Sequence, residues 1–131
     1  MRKGFTLVEL LLTMAFLVFT VSAILMLFAN CVFLNASSRA LTTATSHAQR
    51  VMEEIRDTNF SAVETNIGNN YWDWDSATIA SKGLAALPAE AIVTTKIGAS
   101  SDLLNVMVTV IWVERGQRNN SISLETLIAE L

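Results

Sequence analysis

Between Glu9 and Arg39 the chain runs for 29 positions without a charged residue, and residues 10–34 hold 21 apolar residues out of 25. About 20 apolar residues suffice for a helix to cross a bilayer, so this stretch is long enough to span once. It is too long for the apolar part of a secretory signal, and no good A-x-A cleavage site follows it. The rest of the chain has ordinary globular composition. One very hydrophobic segment joined to one small domain excludes a two-domain soluble enzyme, an intrinsically disordered protein and a multi-span transporter.

Arg2 and Lys3 precede the apolar segment, and the positive-inside rule places that end in the cytoplasm. The 93 residues from Arg39 onward are then expected outside the inner membrane. They carry 7 basic and 11 acidic residues with no basic cluster, so nucleic-acid binding by phosphate neutralisation is not expected. Cys31, the only cysteine, lies inside the apolar segment, and the outer domain can form no internal disulfide. Its plain reading is a small apolar residue of the helix. A lipidation site is the sharper alternative, but Asn30 stands where that signal wants Gly, Ala or Ser.

Glu9 sits near the start of the apolar run, where a carboxylate is costly. A charge at the bilayer centre costs about 2.5–3.5 kcal/mol on insertion scales, though less near the interface, so such residues usually carry a function. The plain alternative is that Glu9 reaches back to the headgroups. Its neighbours weigh against that alternative. Met1-Arg2-Lys3-Gly4-Phe5-Thr6-Leu7-Val8-Glu9 resembles the type III signal of type IV pilins and type II secretion pseudopilins: a short basic leader, Gly, Phe-Thr-Leu-x-Glu, then the apolar helix.

The resemblance implies that a membrane-embedded prepilin peptidase cuts between Gly4 and Phe5 on the cytoplasmic side and methylates the new amine of Phe5. The apolar helix would stay in the mature protein. Gly4 would let the protease approach the backbone, and Arg2 and Lys3 would hold the leader in the cytoplasm. Glu9 would face the amine of Phe5, its own or a neighbour's, when helices pack in a filament core. Removing one partner of a buried ion pair costs about 3–5 kcal/mol, so Glu9 would act as a register device during assembly. Many family members carry a proline in the first half of this helix; this chain has none there.

Helical periodicity continues beyond the bilayer. Leu41, Ala44, Ala48, Val51, Met52 and Ile55 recur at i, i+3, i+4, i+7 spacing, with Arg50, Glu53, Glu54 and Arg56 mostly on the other face. The pattern predicts one helix from about Phe5 to Asp57, roughly 80 Å long at about 1.5 Å per residue. His47, the only histidine, has no Cys or acidic residue three or four positions away and reads as a surface or partly buried helix residue.

Residues 58–90 read as a weakly patterned connection containing Tyr71-Trp72-Asp73-Trp74-Asp75. Tyr71, Trp72 and Trp74 are either a partner-binding patch, since such side chains anchor interfaces, or the cover of a small core. Asp73 and Asp75 lack the Gly and Glu that a calcium loop would place after them, and with Glu53/Glu54 they read as solvated charge. Ala91–Ile97 and Leu103–Glu114 read as strands, the second with Val106, Val108, Val110 and Trp112 on one face and Met107, Thr109, Ile111 and Val113 on the other. Arg115–Asn120 reads as a turn and Ser121–Ile128 as a third strand.

The expected fold is α+β: a long amino-terminal helix, transmembrane in its first half, packed on a small antiparallel sheet in the manner of type IV pilins. Its parts are a leader (1–4), a transmembrane and filament-core helix (5–34) and a globular domain (35–131). Val108–Trp112, the turn and Leu124–Leu127 resemble the ending of I-type minor pseudopilins and V-type minor pilins. No motif suggests a nucleophile triad, a phosphate loop or a metal cluster, so neither catalysis nor a cofactor is expected.

The resemblance implies a minor pilin or pseudopilin that helps prime a filament or forms its tip. Its expected partners are the prepilin peptidase, other pilins in a hetero-oligomeric filament, the inner-membrane assembly platform and the membrane itself. Glu9 argues against the K-type tip subunit, which typically lacks it. Two rivals remain: an unprocessed single-pass membrane-anchored periplasmic binding domain, and a lipoprotein attached through Cys31.

Overall fold

From Phe5 to Ile67 the sequence contains neither glycine nor proline, the two residues that most readily end a helix. In the computed structural model, which describes residues 5–100, 103–114 and 118–129, this becomes helix α1, Leu7–Arg56, 50 residues long. Its bounds agree with the expected 5–57. The chain divides into two units, Met1–Ser38 and Arg39–Leu131.

In the first unit the apolar side chains of α1 are exposed from Leu7 to Leu34. The polar side chains scattered among them bond back to their own helix. Thr13 Oγ1 donates to Leu10 O (2.8 Å), Thr20 Oγ1 to Leu17 O (2.9 Å) and Ser22 Oγ to Val18 O (2.8 Å). A hydroxyl satisfied in this way can enter an apolar medium at little cost. Among the described residues α1 is the one helix long and apolar enough to cross a membrane.

In the second unit α1 packs on the sheet. Ala44, Ala48, Val51, Met52 and Ile55 are buried with Leu104, Val106, Val108, Val110 and Trp112 in one core. Leu41, expected on the same stripe, is exposed. The alternation expected for residues 103–114 holds: the face bearing Val106 and Trp112 is buried, and the face bearing Met107 and Ile111 is open to partly open.

The stretch 58–90 is more ordered than its sequence suggests. Helix α2 (Phe60–Gly68), strand β1 (Trp74–Asp75) and helix α3 (Ser76–Ser81) lie within it. Each is too short to build a recognisable period in the sequence. Gly83 closes α3 in the left-handed region (φ 76°), with Gly83 N donating to Ala80 O and Leu84 N to Ile79 O, a turn that strongly favours glycine.

Strands β2 (Ala91–Ser100), β3 (Leu103–Glu114) and β4 (Arg118–Ala129) complete an antiparallel sheet of order β1-β2-β3-β4. The expected turn 115–120 is shorter than its polar composition implied. Arg118, Asn119 and Asn120 already pair with Glu114, Val113 and Trp112, and Asn120 Nδ2 donates to Glu114 Oε2 (2.8 Å). The result is an α+β fold: a long amino-terminal helix packed on a small four-stranded antiparallel sheet.

Candidate functional site: the amino-terminal turn of the long helix

The first turn of α1 is built by two residues. Thr6 precedes the helix, and its carbonyl accepts from Glu9 N and Leu10 N (both 3.1 Å). Its hydroxyl accepts from Glu9 N at 3.3 Å. Thr6 is therefore the N-cap, and Glu9 stands at the third helical position, giving the T-x-x-E order of a capping box. The carboxylate of Glu9 also lies where the helix dipole favours negative charge. Thr6 thus sets where the helix begins.

Phe5, Leu7 and Val8 around this turn are exposed, as is Glu9 itself. The cut expected between Gly4 and Phe5, and the leader charges Arg2 and Lys3, involve residues 1–4, which lie outside the described residues. Cys31 lies exposed within α1, with unbroken helix on either side.

The structure separates the three aromatic residues for which a partner patch and a core cover were the two readings. Trp72 and Trp74 are buried in the core, only 1% and 3% exposed, and Tyr71 alone stays at the surface. Tyr71 meets the edge of Trp72 at 5.6 Å between ring centres, and Lys82 Nζ lies 4.2 Å from the centre of the Trp74 ring. Of the two readings, the cover of a small core fits Trp72 and Trp74, and the partner patch does not, leaving Tyr71 as the one exposed aromatic of the three.

The carboxylates nearby are structural as well. Asp73 Oδ1 accepts from Thr94 N (2.8 Å). Asp75 caps α3, accepting from Thr78 N (2.7 Å) and Thr78 Oγ1 (2.6 Å). The hydroxyl bond from Thr78, followed by the backbone one, holds the Asp75 carboxyl below its ordinary value of 3.8. Glu54 pairs with Lys82 at 3.3 Å. Of the four acids expected to be simply solvated, only Glu53 fits that description among the described residues.

His47 is corrected from a surface or partly buried residue to a buried one, 4% exposed. Its Nδ1 lies 2.7 Å from Glu90 Oε1, and the other carboxylate oxygen accepts from Leu87 N at 2.6 Å. Ser76 Oγ donates to Glu90 O (2.9 Å), and Val113 N to Pro88 O (2.9 Å). Between them Ala89 takes a left-handed φ of 51°, a strained conformation held by these surrounding bonds. The pair spans 43 positions of sequence, so no local motif announces it. One signal was available: position 47 is three after Ala44 and four before Val51, on the buried stripe.

Among the described residues no group of three or more His, Cys, Asp or Glu side chains is placed to hold a metal ion. No protein-family profile, curated protein or solved structure matches the chain.

Proposed function

We propose that this protein is a minor pilin or pseudopilin, a structural subunit that waits in the inner membrane and is then built into a periplasmic filament. The observation that carries the reading is the sequence Arg2-Lys3-Gly4-Phe5-Thr6-Leu7-Val8-Glu9 joined directly to an uninterrupted apolar helix. Gly4 and Phe5 flank the processing point, and Phe5 presents the amine that is methylated. Glu9 provides the charge that a neighbouring subunit's amine satisfies. The exposed apolar length of α1 supports a helix that exchanges lipid for other helices. The role is structural rather than catalytic, and the outer domain selects neighbours in a type II secretion, type IV pilus or competence filament.

Intact mass of the membrane-extracted protein tests this. The expected product lacks residues 1–4 and carries one added methyl group. Retention of Met1–Gly4 in cells with an active prepilin peptidase would overturn the reading. The capping geometry favours a second reading, because Glu9 at the third helical position is a residue that local helix physics alone would choose. In that reading the chain is an unprocessed membrane-anchored binding domain. Glu9→Ala separates the two: a filament subunit keeps its processing and loses incorporation, whereas an anchored domain loses only a little helix stability.

A further inference from the structure

The two edges of the sheet are treated differently. At the β2 edge, β1 covers two residues, Trp74 opposite Ile92 and Asp75 opposite Ala91. Beyond them Asp73 takes the next free amide, Thr94 N, and Lys96 pairs with Glu64 of α2. A bulge between Lys96 and Gly98 then bends the strand. Covering elements, charged side chains and bulges are the usual devices that stop an edge from pairing with another chain.

Along β4 these devices are sparse, with Arg118 and Glu125 its only charged residues. It is 12 residues long, pairs with β3 without a register shift, and contains neither proline nor lysine. Its outer row of backbone N–H and C=O groups has no strand beside it among the described residues. Leu127 is 68% exposed. Alongside β4 runs a groove of about 440 Å³ between the strand and the last turns of α1, lined by Gln49, Met52, Glu53, Arg56, Leu124 and Glu125.

The charges of this groove are mostly engaged. Arg56 Nη2 donates to Thr126 Oγ1 (3.1 Å), and Glu125 accepts from Asn105 Nδ2. Glu53 is exposed and is in no ion pair among the described residues. A strand laid along β4 would satisfy the free backbone row, place an apolar side chain over Met52 and Leu124, and find an unpaired carboxylate at Glu53.

We propose that β4 is a docking edge for an extended segment of another polypeptide, which adds to the sheet as a fifth strand and carries an apolar and a basic residue on its α1-facing side. Backbone pairing supplies the affinity in such strand addition, and the alternate side chains supply the choice of partner. The proposal rests on the outer domain alone and does not require the filament reading.

A photocrosslinking residue placed in the full-length chain at Ser123 or at Leu127, in the cells that produce it, tests the docking. Four residues of strand cover about 13 Å, which an extended partner spans in four residues and a helix in about nine. Sequencing the two adducts by mass spectrometry should therefore place them about four residues apart in one segment of one other protein, with Lys or Arg nearby. Glu53→Lys should lower the Ser123 adduct about threefold to tenfold, while thermal unfolding of the domain stays unchanged. Adducts about nine residues apart, adducts only to a second copy of this chain, no adduct at all, or an unchanged yield with Glu53→Lys would each overturn the proposal. Intact mass of the same protein reports processing at Gly4 independently, so the two readings can fail separately.

Discussion

The two halves of α1 share one secondary structure but stand in opposite environments. From Leu7 to Leu34 the apolar side chains are exposed, whereas Ala44, Ala48, Val51 and Ile55 are fully buried. Both halves lack helix breakers, so propensity does not distinguish them. Distribution does. The second half alternates an apolar stripe with Arg50, Glu53 and Arg56, a pattern suited to a sheet on one side and water on the other. The first half is apolar all round, and a helix of that kind needs an apolar surrounding on every side. The chain supplies the partner of one half; the other half is long and apolar enough to cross a membrane.

The sharpest test of the buried half is His47→Ala. It should lower the stability of the sheet-bearing unit by about 3–5 kcal/mol in denaturant unfolding, because a buried ring is removed and Glu90 Oε1 is left buried without its hydrogen-bond partner. Adding Glu90→Gln to that variant should recover part of the loss; no recovery would mean that the pair is not the source. Next, Ile55→Ala should cost about 2–5 kcal/mol, whereas Phe16→Ala in the exposed half should change domain unfolding by less than about 0.5 kcal/mol. Equal effects from the two would break the comparison between the halves.

Smaller effects are expected at the helix ends. Thr6→Val removes the N-cap hydroxyl and should fray the first turn of α1, seen as faster amide exchange at Glu9 and Leu10, while Thr6→Ser restores protection. The smallest effect concerns Asp75, whose carboxyl is held low by Thr78. A lowered folded value means that its contribution is present above the ordinary carboxylate range and is lost as pH falls through the folded value. Stability should therefore decline in acid below about pH 4, and Asp75→Asn should make that decline shallower. An identical acid profile for the two proteins would show that the Thr78 bonds contribute nothing to it.

Much of this architecture is legible without coordinates because it is periodic. The span of α1 and the strand at Leu103–Glu114, with its buried row Val106–Trp112, each repeat one pattern over ten residues or more, so each position reinforces the next. The capping role of Thr6 emerges only from the bonds that its hydroxyl and carbonyl accept from Glu9 N and Leu10 N. Where elements are short, the signal fails. β1 has two residues and α3 six, and nothing in Trp74-Asp75-Ser76 says that a strand ends where a helix begins. Asn119 and Asn120 look like turn residues, yet pairing with β3 carries them into β4. Here tertiary hydrogen bonding outweighs local preference.

By itself the sequence determined a long helix, because Leu7–Arg56 contains neither glycine nor proline, and an all-round apolar surface in its first half. Only the tertiary structure decided that Trp72 and Trp74 face inward, that His47 meets Glu90 across 43 positions, and that β2 is guarded while β4 is left open. These are contacts between residues distant in sequence, and no local period encodes a distance of that kind. Helix and strand patterns record which face a residue takes; packing alone records what it meets there.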